Sequence, residues 1–317
     1  MAAGSKLSPH SGIVTVRLPR AVEQAEKAGY CGPEVLAPLE EAGAKGELSH
    51  HVFSHVNGNG AFEIFTDPGN ACQLSTAEKT GTSLWYAATV FIEHLLSSAS
   101  NLFAPGCRVC EVGSGCGAVG LALHFALGCR AVLTDQEQMM PLLYLNAAHN
   151  AHRLKGAPMP TVTSLSWGDD AAAAAVLDQS PGGRFDLIIG SDVTYEPGNH
   201  DILLSTLAAL ANGRADGDVS GAAAEGSVEP ARVLLAAPDW LQPGQATSSS
   251  LRDGFLDRSA VLGWRWEVLS TTHSRGNGSG WLNAAGGASK SNACPVVLLM
   301  GKPPPPPQLR RRRMSFL

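Results

Sequence analysis

The residues whose types and spacing could do chemistry gather in two short segments. The first reads Val109-Cys110-Glu111-Val112-Gly113-Ser114-Gly115-Cys116-Gly117-Ala118-Val119-Gly120. It follows an apolar strand-like run and opens an apolar helix-like one, and its glycines let backbone amides approach a ligand at a helix N-terminus. Two ligand classes fit such a turn. Gly115-x-Gly117-x-x-Gly120, with Asp135 placed 20 residues after Gly115, matches the dinucleotide pattern, in which the helix end meets a pyrophosphate. Glu111 ahead of Gly113, Gly115 and Gly117 instead sets a carboxylate beside the loop. That arrangement suits a cationic ligand and opposes a pyrophosphate. Asp135 can accept from both hydroxyls of a ribose in either case, so it does not separate the two; it could equally cap the next helix.

The second segment, residues 185–197, reads Phe-Asp-Leu-Ile-Ile-Gly-Ser-Asp-Val-Thr-Tyr-Glu-Pro. Its apolar run ends at Ser191-Asp192, and Tyr195 follows. A carboxylate and a phenol at a strand end could grip an amine and aim its lone pair. Taken alone, Asp-x-x-Tyr also describes a capping acid and a packed tyrosine.

The elements that must position these residues can be read from the pattern. Residues 51–66 alternate on both sides of an Asn-Gly pair, a hairpin signal. A helical pattern covers 82–96. Strand-like runs at 108–112, 130–134, 161–167, 185–190 and 233–237 alternate with helical patterns at 118–127, 139–153, 171–177 and 201–211. These strands lack a polar face, as in a parallel sheet covered on both sides. A helix near 251–262 and runs at 265–269 and 296–300 close the series; without a helix between them, the last two form an antiparallel pair. Ligands in such sheets bind at the carboxyl ends of the strands, which brings Glu111, Asp135, Asp192 and Tyr195 to one edge.

With both segments in view, the chain resembles the seven-strand S-adenosylmethionine (SAM)-dependent methyltransferases, and among them the family 16 protein-lysine methyltransferases. Gly81-Thr82-Ser83-Leu84-Trp85, placed on a helix, resembles a segment of that family. So do Leu143-x-x-Asn146-x-x-x-Asn150, Leu165-Ser166-Trp167-Gly168-Asp169 and Ser191-Asp192-x-x-Tyr195-Glu196-Pro197. The resemblance covers roughly residues 48–302. It implies an α/β, Rossmann-like seven-strand fold, mostly parallel with an antiparallel last strand and preceded by a β-hairpin. It implies SAM as cofactor and a protein as substrate. Asp192 and Tyr195 would orient the amine. Glu111, Gly113, Ser114 and Gly115 would hold the methionine end of SAM, with Trp85 closing that side and Gly117 also in the cofactor site. Asp135 would hold the ribose, and Trp167 and Ser191 would border the adenine. A small-molecule or non-lysine target, a catalytically silent SAM-fold binding protein and a nicotinamide-dependent oxidoreductase stay open as alternatives.

Composition bounds the rest. The chain has 317 residues, 44% hydrophobic and 16% charged, enough apolar material for a full core. Its net charge of -5 gives no global reason to bind nucleic acid. No run reaches membrane-spanning length, and no secretory signal is evident. Seven cysteines, an odd count, point to free thiols in a reducing compartment. A cytoplasmic monomer is the expectation. Arg310–Arg313 leave a nuclear address open, and the acid-free stretch 1–22 leaves an organellar one open. Residues 1–47 show no clear periodicity beyond a strand candidate at 13–17 and read as an N-terminal extension. Residues 48–302 form the SAM domain, and 303–317 a Pro/Arg-rich tail. The stretches 211–230 and 270–293 read as Gly/Ala/Ser-rich surface insertions. Cys107-x-x-Cys110 has zinc-like spacing but lacks a second pair, so no metal is expected. His50, His51 and His55 read as structural or surface histidines.

Overall fold

The computed structural model describes residues 10–13, 18–53, 62–74, 81–97, 104–154, 158–214, 229–238, 251–272 and 296–304. His55, most of both Gly/Ala/Ser-rich stretches and most of the Pro/Arg-rich tail lie outside them.

The central sheet grows from strands whose two faces are both apolar. It contains β4 (Arg108–Val112), β5 (Arg130–Asp135), β6 (Thr161–Ser164), β7 (Leu187–Ser191), β8 (Arg232–Pro238), β9 (Arg265–Thr272) and β10 (Val296–Lys302) in the order β6-β5-β4-β7-β8-β10-β9. β4, β5, β6, β7 and β8 pair in parallel, while β10 runs antiparallel to both β8 and β9. The antiparallel final pair expected from the sequence is therefore present. Alternation along the strands splits the core in two. Val109, Leu133, Ile189 and Leu298 face one side, and Cys110, Val112, Ile188, Leu235 and Leu299 face the other.

The first side is covered by α3 (Tyr86–Ser97), α4 (Ala118–Leu127) and α5 (Met140–His149), the second by α6 (Asp170–Asp178), α7 (His200–Asn212) and α8 (Leu251–Val261). α4 is buried from Ala118 to His124, which explains its near absence of polar residues. Left-handed glycines bound it, Gly117 (φ 80) before and Gly128 (φ 67) after.

Two differences from the sequence reading concern the N-terminal half. Residues 18–44 carry α1 (Leu18–Lys27) and α2 (Pro33–Ala44), where no periodicity was expected. Ala21, Val22, Ala25, Leu36 and Leu39 join the same core as Leu142 and Leu145 of α5. Tyr30, between the helices, stacks on Tyr144 at 5.3 Å and donates its hydroxyl to the Pro160 carbonyl at 2.6 Å. The stripe is weak in sequence because much of it is alanine and α2 contains Pro38. The hairpin strands are present as β2 (Ser49–Phe53) and β3 (Phe62–Thr66), paired antiparallel, while the Asn-Gly turn expected between them lies outside the described residues. A third strand, β1 (His10–Ile13), pairs antiparallel with β2. The strand candidate at 13–17 is thus met only at Ile13; residues 14–17 lie outside those described.

Candidate functional site

The carboxyl ends of β4, β5 and β7, with the turn after β6, carry the expected site residues. At the end of β4 the chain turns through Gly113 (φ 61) and Gly115 (φ 55), backbone conformations that cost an L-residue roughly 1–2 kcal/mol. Space is also closed to a side chain there. A Cβ at Gly113 would lie 2.8 Å from Val193 Cγ1 and 3.3 Å from Trp167 Cζ2, and one at Gly115 would lie 2.8 Å from the Gly81 carbonyl oxygen. The loop therefore runs between Trp167 and Val193 on one flank and the Gly81 turn on the other. This joins three segments that are far apart in sequence. Gly81–Trp85 forms a turn ahead of α3, which starts at Tyr86, so the expected helical placement of Trp85 is corrected. The turn's end is pinned because Asp67 donates its amide to the Thr82 carbonyl at 2.9 Å.

Two carboxylates support the loop. Glu111 is 2% exposed, and its Oε2 accepts from the Gly120 amide at 3.1 Å. Burial pushes its pKa up to about 8; hydrogen bonds from Ser114 and Gly120 only partly offset that. Asp135, half-buried at the end of β5, accepts from the Gly115 amide through Oδ2 and from the Gln136 amide through Oδ1, both at 2.7 Å. Burial raises its pKa too. It therefore braces the glycine loop rather than capping the next helix. Each of its oxygens keeps a further lone pair for a ligand hydroxyl. Ser114 and Thr134 lock β4 to β5: the Ser114 amide donates to the Thr134 carbonyl at 2.9 Å, and the Thr134 hydroxyl donates to the Glu111 carbonyl at 2.7 Å.

At the end of β7, Ser191 carries a buried hydroxyl with no hydrogen-bond partner among the described residues. Asp192 has φ 57, and its amide donates to the Ala236 carbonyl at 2.9 Å, extending the β7–β8 ladder. Aspartate tolerates this left-handed conformation better than most residues. Val193 then packs on Gly113, so Asp192 flanks the loop. Tyr195 is half-buried on the same turn, which is closed by a contact of 3.0 Å between His200 Nε2 and the Thr194 carbonyl. Gly168, after Trp167, donates its amide to Thr206 Oγ1 at 2.8 Å and anchors the β6 turn to α7.

These features fit SAM. Glu111 and Asp135 have no cationic partner among the described residues, so a ligand with an ammonium and a sulfonium supplies what the site lacks, whereas a pyrophosphate would face two acids. The crowded glycine backbone and the unpartnered Ser191 hydroxyl match a nucleoside seated on the strand ends.

The remaining candidates fall elsewhere. Cys107, just ahead of β4, packs against one core and Cys110, on β4, lies in the other, so the two thiols face opposite sides of the sheet. Cys116 is buried, with its thiol pushed up to about 12 by desolvation, so it is an inert filler of the loop. His50 and His149 both contact Glu63 Oε2 through Nε2, at 2.8 and 3.0 Å, and Arg153 donates to Glu63 Oε1 at 3.3 Å. The ligand atoms of His50, Glu63 and His149 lie close enough together to meet one ion. Arg153 already balances the carboxylate, however, and would repel a dication. Sequence reasoning gave no role to the Gly81 backbone, Thr134 or Val193, whose parts are visible only once strand ends are brought together.

Strand order, the single antiparallel strand and a glycine loop flanked by acids define a SAM-dependent methyltransferase of the seven-strand class. A family described as lysine methyltransferase matches residues 70–220. The mouse protein N-lysine methyltransferase METTL21A is 32% identical over 179 residues, covering 55% of this chain and 73% of the relative. The zebrafish protein of the same name is 33% identical over 130 residues, covering 41% of this chain and 55% of the relative. Histone-arginine methyltransferase METTL23 of Xenopus laevis is 32% identical over 129 residues, covering 40% of this chain and half of that protein. The chain belongs to the family 16 lysine methyltransferases, and SAM is its cofactor.

Proposed function

We propose that this protein transfers a methyl group from SAM to a lysine side chain of a protein substrate. The observation that carries the reading is Asp192, an acid held in left-handed backbone beside the glycine loop, at the sheet edge where Glu111 and Asp135 have no cationic partner among the described residues. The relatives named protein N-lysine methyltransferases support the substrate class.

When bound, SAM supplies an electrophilic methyl on a positively charged sulfur that departs as a neutral thioether. Positioning therefore matters more than acid–base power. Glu111 and the Gly113–Gly117 backbone hold the amino-acid end, and Trp85 covers it. Asp135 accepts from the ribose, and Trp167 and Ser191 border the base. Asp192 and Tyr195 hold the incoming amine through its N–H groups and leave its lone pair directed at the methyl. The nucleophile must be neutral, and deprotonating a free lysine at pH 7 costs about 4–5 kcal/mol. Desolvation between Tyr195 and the loop lowers that cost. The amine's proton leaves to solvent. We further propose that the protein works as a monomer in the cytoplasm, where a reducing environment suits its thiols.

The test is transfer of a radiolabelled methyl from SAM into a lysate of the source cells, wild type beside Asp192→Ala, followed by amino-acid analysis. A discrete labelled protein that contains methyl-lysine and disappears with the variant is expected. Label confined to small molecules, or recovered as methylarginine, overturns the lysine assignment.

A further inference from the structure

Asn146 on α5 and Asn150, the residue that caps its C-terminus, lie four apart, fully buried, facing the outer edge of β3. Four residues of helix advance about 6 Å, close to the span of two residues along a strand, about 6.8 Å. The two carboxamides can therefore replace a missing neighbour strand. Asn146 Oδ1 accepts from the Phe65 amide at 2.7 Å, and its Nδ2 donates to the Phe65 carbonyl at 2.9 Å. Asn150 does the same to Glu63, accepting at 2.9 Å and donating at 2.7 Å. This closes an edge that would otherwise present unpaired backbone.

Toward β3 the pair is symmetrical; away from it the two differ, and Asn150 Oδ1 also accepts from Arg153 Nε at 3.2 Å. The second N–H of Asn146 donates to the carbonyl of Cys116, inside the glycine loop, at 2.8 Å. The second N–H of Asn150 goes back to the Asn146 carbonyl in the last turn of α5. One carboxamide, with both N–H groups engaged, thus ties β3 to the peptide between Gly115 and Gly117. On the other side, that loop is held through the Gly115 amide by Asp135 and through a bond of 2.7 Å from the Gly117 amide to the Ser114 carbonyl.

We propose that Asn146 is a positioning residue for the cofactor loop. By fixing the Cys116 carbonyl against β3, it sets the direction of the loop amides that meet SAM, and so makes the N-terminal three-stranded sheet part of the cofactor site. This rests on the glycine loop being the SAM site.

The test compares Asn146→Ala with Asn150→Ala, because both lose two bonds to β3 and only the first loses the bond to the loop. SAM affinity is measured by calorimetry and stability by thermal melting. Asn146→Ala is expected to weaken SAM by about tenfold or more, the loss of a buried, geometry-setting hydrogen bond. Asn150→Ala is expected to weaken it by less than about threefold at a similar drop in Tm. Equal losses of affinity from the two variants would overturn the proposal, since both would then act through stability alone.

Amide hydrogen exchange on the wild type keeps the question decidable if Asn146→Ala does not fold. Saturating SAM should slow exchange at the Phe65 amide, which is bonded to Asn146, more than at the Glu63 amide, which is bonded to Asn150. Equal protection overturns the proposal. Wild type that binds no SAM overturns the cofactor assignment itself, and this inference with it, in a pattern distinct from either variant result.

Discussion

The two edges of the central sheet are built from the same strands and treat charge in opposite ways. At the amino edge, Arg108 and Asp186 face each other at the starts of β4 and β7. The guanidinium donates to Asp186 Oδ1 at 2.6 Å and to Oδ2 at 3.1 Å, and the Arg108 amide adds a third bond at 2.8 Å. A fourth, from Nη1, reaches the Pro181 carbonyl at 2.8 Å. At the carboxyl edge, among the described residues, Glu111 and Asp135 are held by amides and a hydroxyl without a cation, the Ser191 hydroxyl has no partner, and Asp192 sits in left-handed backbone. The first edge is satisfied in the free protein; the second is left for a ligand to complete. Unpaired buried acids and strained backbone both cost stability, so their concentration on one edge marks where the fold accepts that cost for binding.

The sharpest way to break this contrast is at Asp192. Asp192→Asn keeps the residue's tolerance of φ 57 but removes its charge. Methyl transfer should fall by about 10² or more, with Tm and SAM affinity little changed. Asp192→Ala should lose activity to the same degree and also about 1 kcal/mol of stability, from the left-handed strain. Retained turnover in Asp192→Asn would remove the acid from the mechanism.

Next in size is a pair of glycines. Gly113→Ala combines left-handed strain with a Cβ 2.8 Å from Val193, so SAM binding should fall below detection by calorimetry. Gly128→Ala, at the amino edge, has the same strain at φ 67 but no atom within 4 Å of the new Cβ. It should cost roughly 1 kcal/mol in thermal melts and leave SAM affinity unchanged. Equal effects on SAM would show that loop crowding is not what the site depends on.

Glu111 allows the contrast to be read against pH. Its pKa in the free protein is raised to about 8, from 4.5 when exposed. A raised acid stabilises the fold fully below the unfolded value, and that contribution is lost as pH rises toward 8. Melting of the free protein should therefore decline from about pH 4.5 to 8. Glu111→Gln should flatten that decline and melt higher than wild type at pH 8. SAM carries positive charge and favours the carboxylate, so binding should release a proton. Wild-type affinity should rise with pH up to about 8, while Glu111→Gln binds more weakly and with little pH dependence. A variant that is both more stable and tighter-binding would contradict the assignment.

The sequence made the carboxyl edge more legible than its supports. Glu111, the glycines and Asp135 are close in sequence or at a fixed interval, and the apolar runs on either side say which end of each strand they occupy. The elements of the sheet could be read because a strand buried on both faces leaves an uninterrupted apolar signature, as in β7 and β8. What could not be read depends on distance in the chain. Gly81 against Gly115 and Val193 against Gly113 are contacts between strand ends, with no periodicity to announce them. α1 and α2 were missed because alanine makes a faint hydrophobic stripe, and their burial is earned against α5 rather than by their own composition. Asn146 and Asn150 drew attention only through family resemblance. Their spacing has a physical meaning, the match of helix rise to strand rise, but only when an open strand edge lies opposite.

The smallest expected effect belongs to the amino edge. The Asp186 pKa is lowered, chiefly by the hydrogen bond from Arg108. A lowered acid contributes stability above its unfolded value, and that contribution disappears as pH falls through the folded one. The pair is partly exposed, with side-chain exposures of 29% and 43%, so solvent screens it and its worth is about 1 kcal/mol. Asp186→Asn should therefore melt slightly below wild type at pH 7 and converge with it in acid, while SAM affinity and turnover stay at wild-type values. A loss of SAM affinity here would mean that the strands transmit strain from one edge to the other. The satisfied edge would then be part of the site rather than its counterweight.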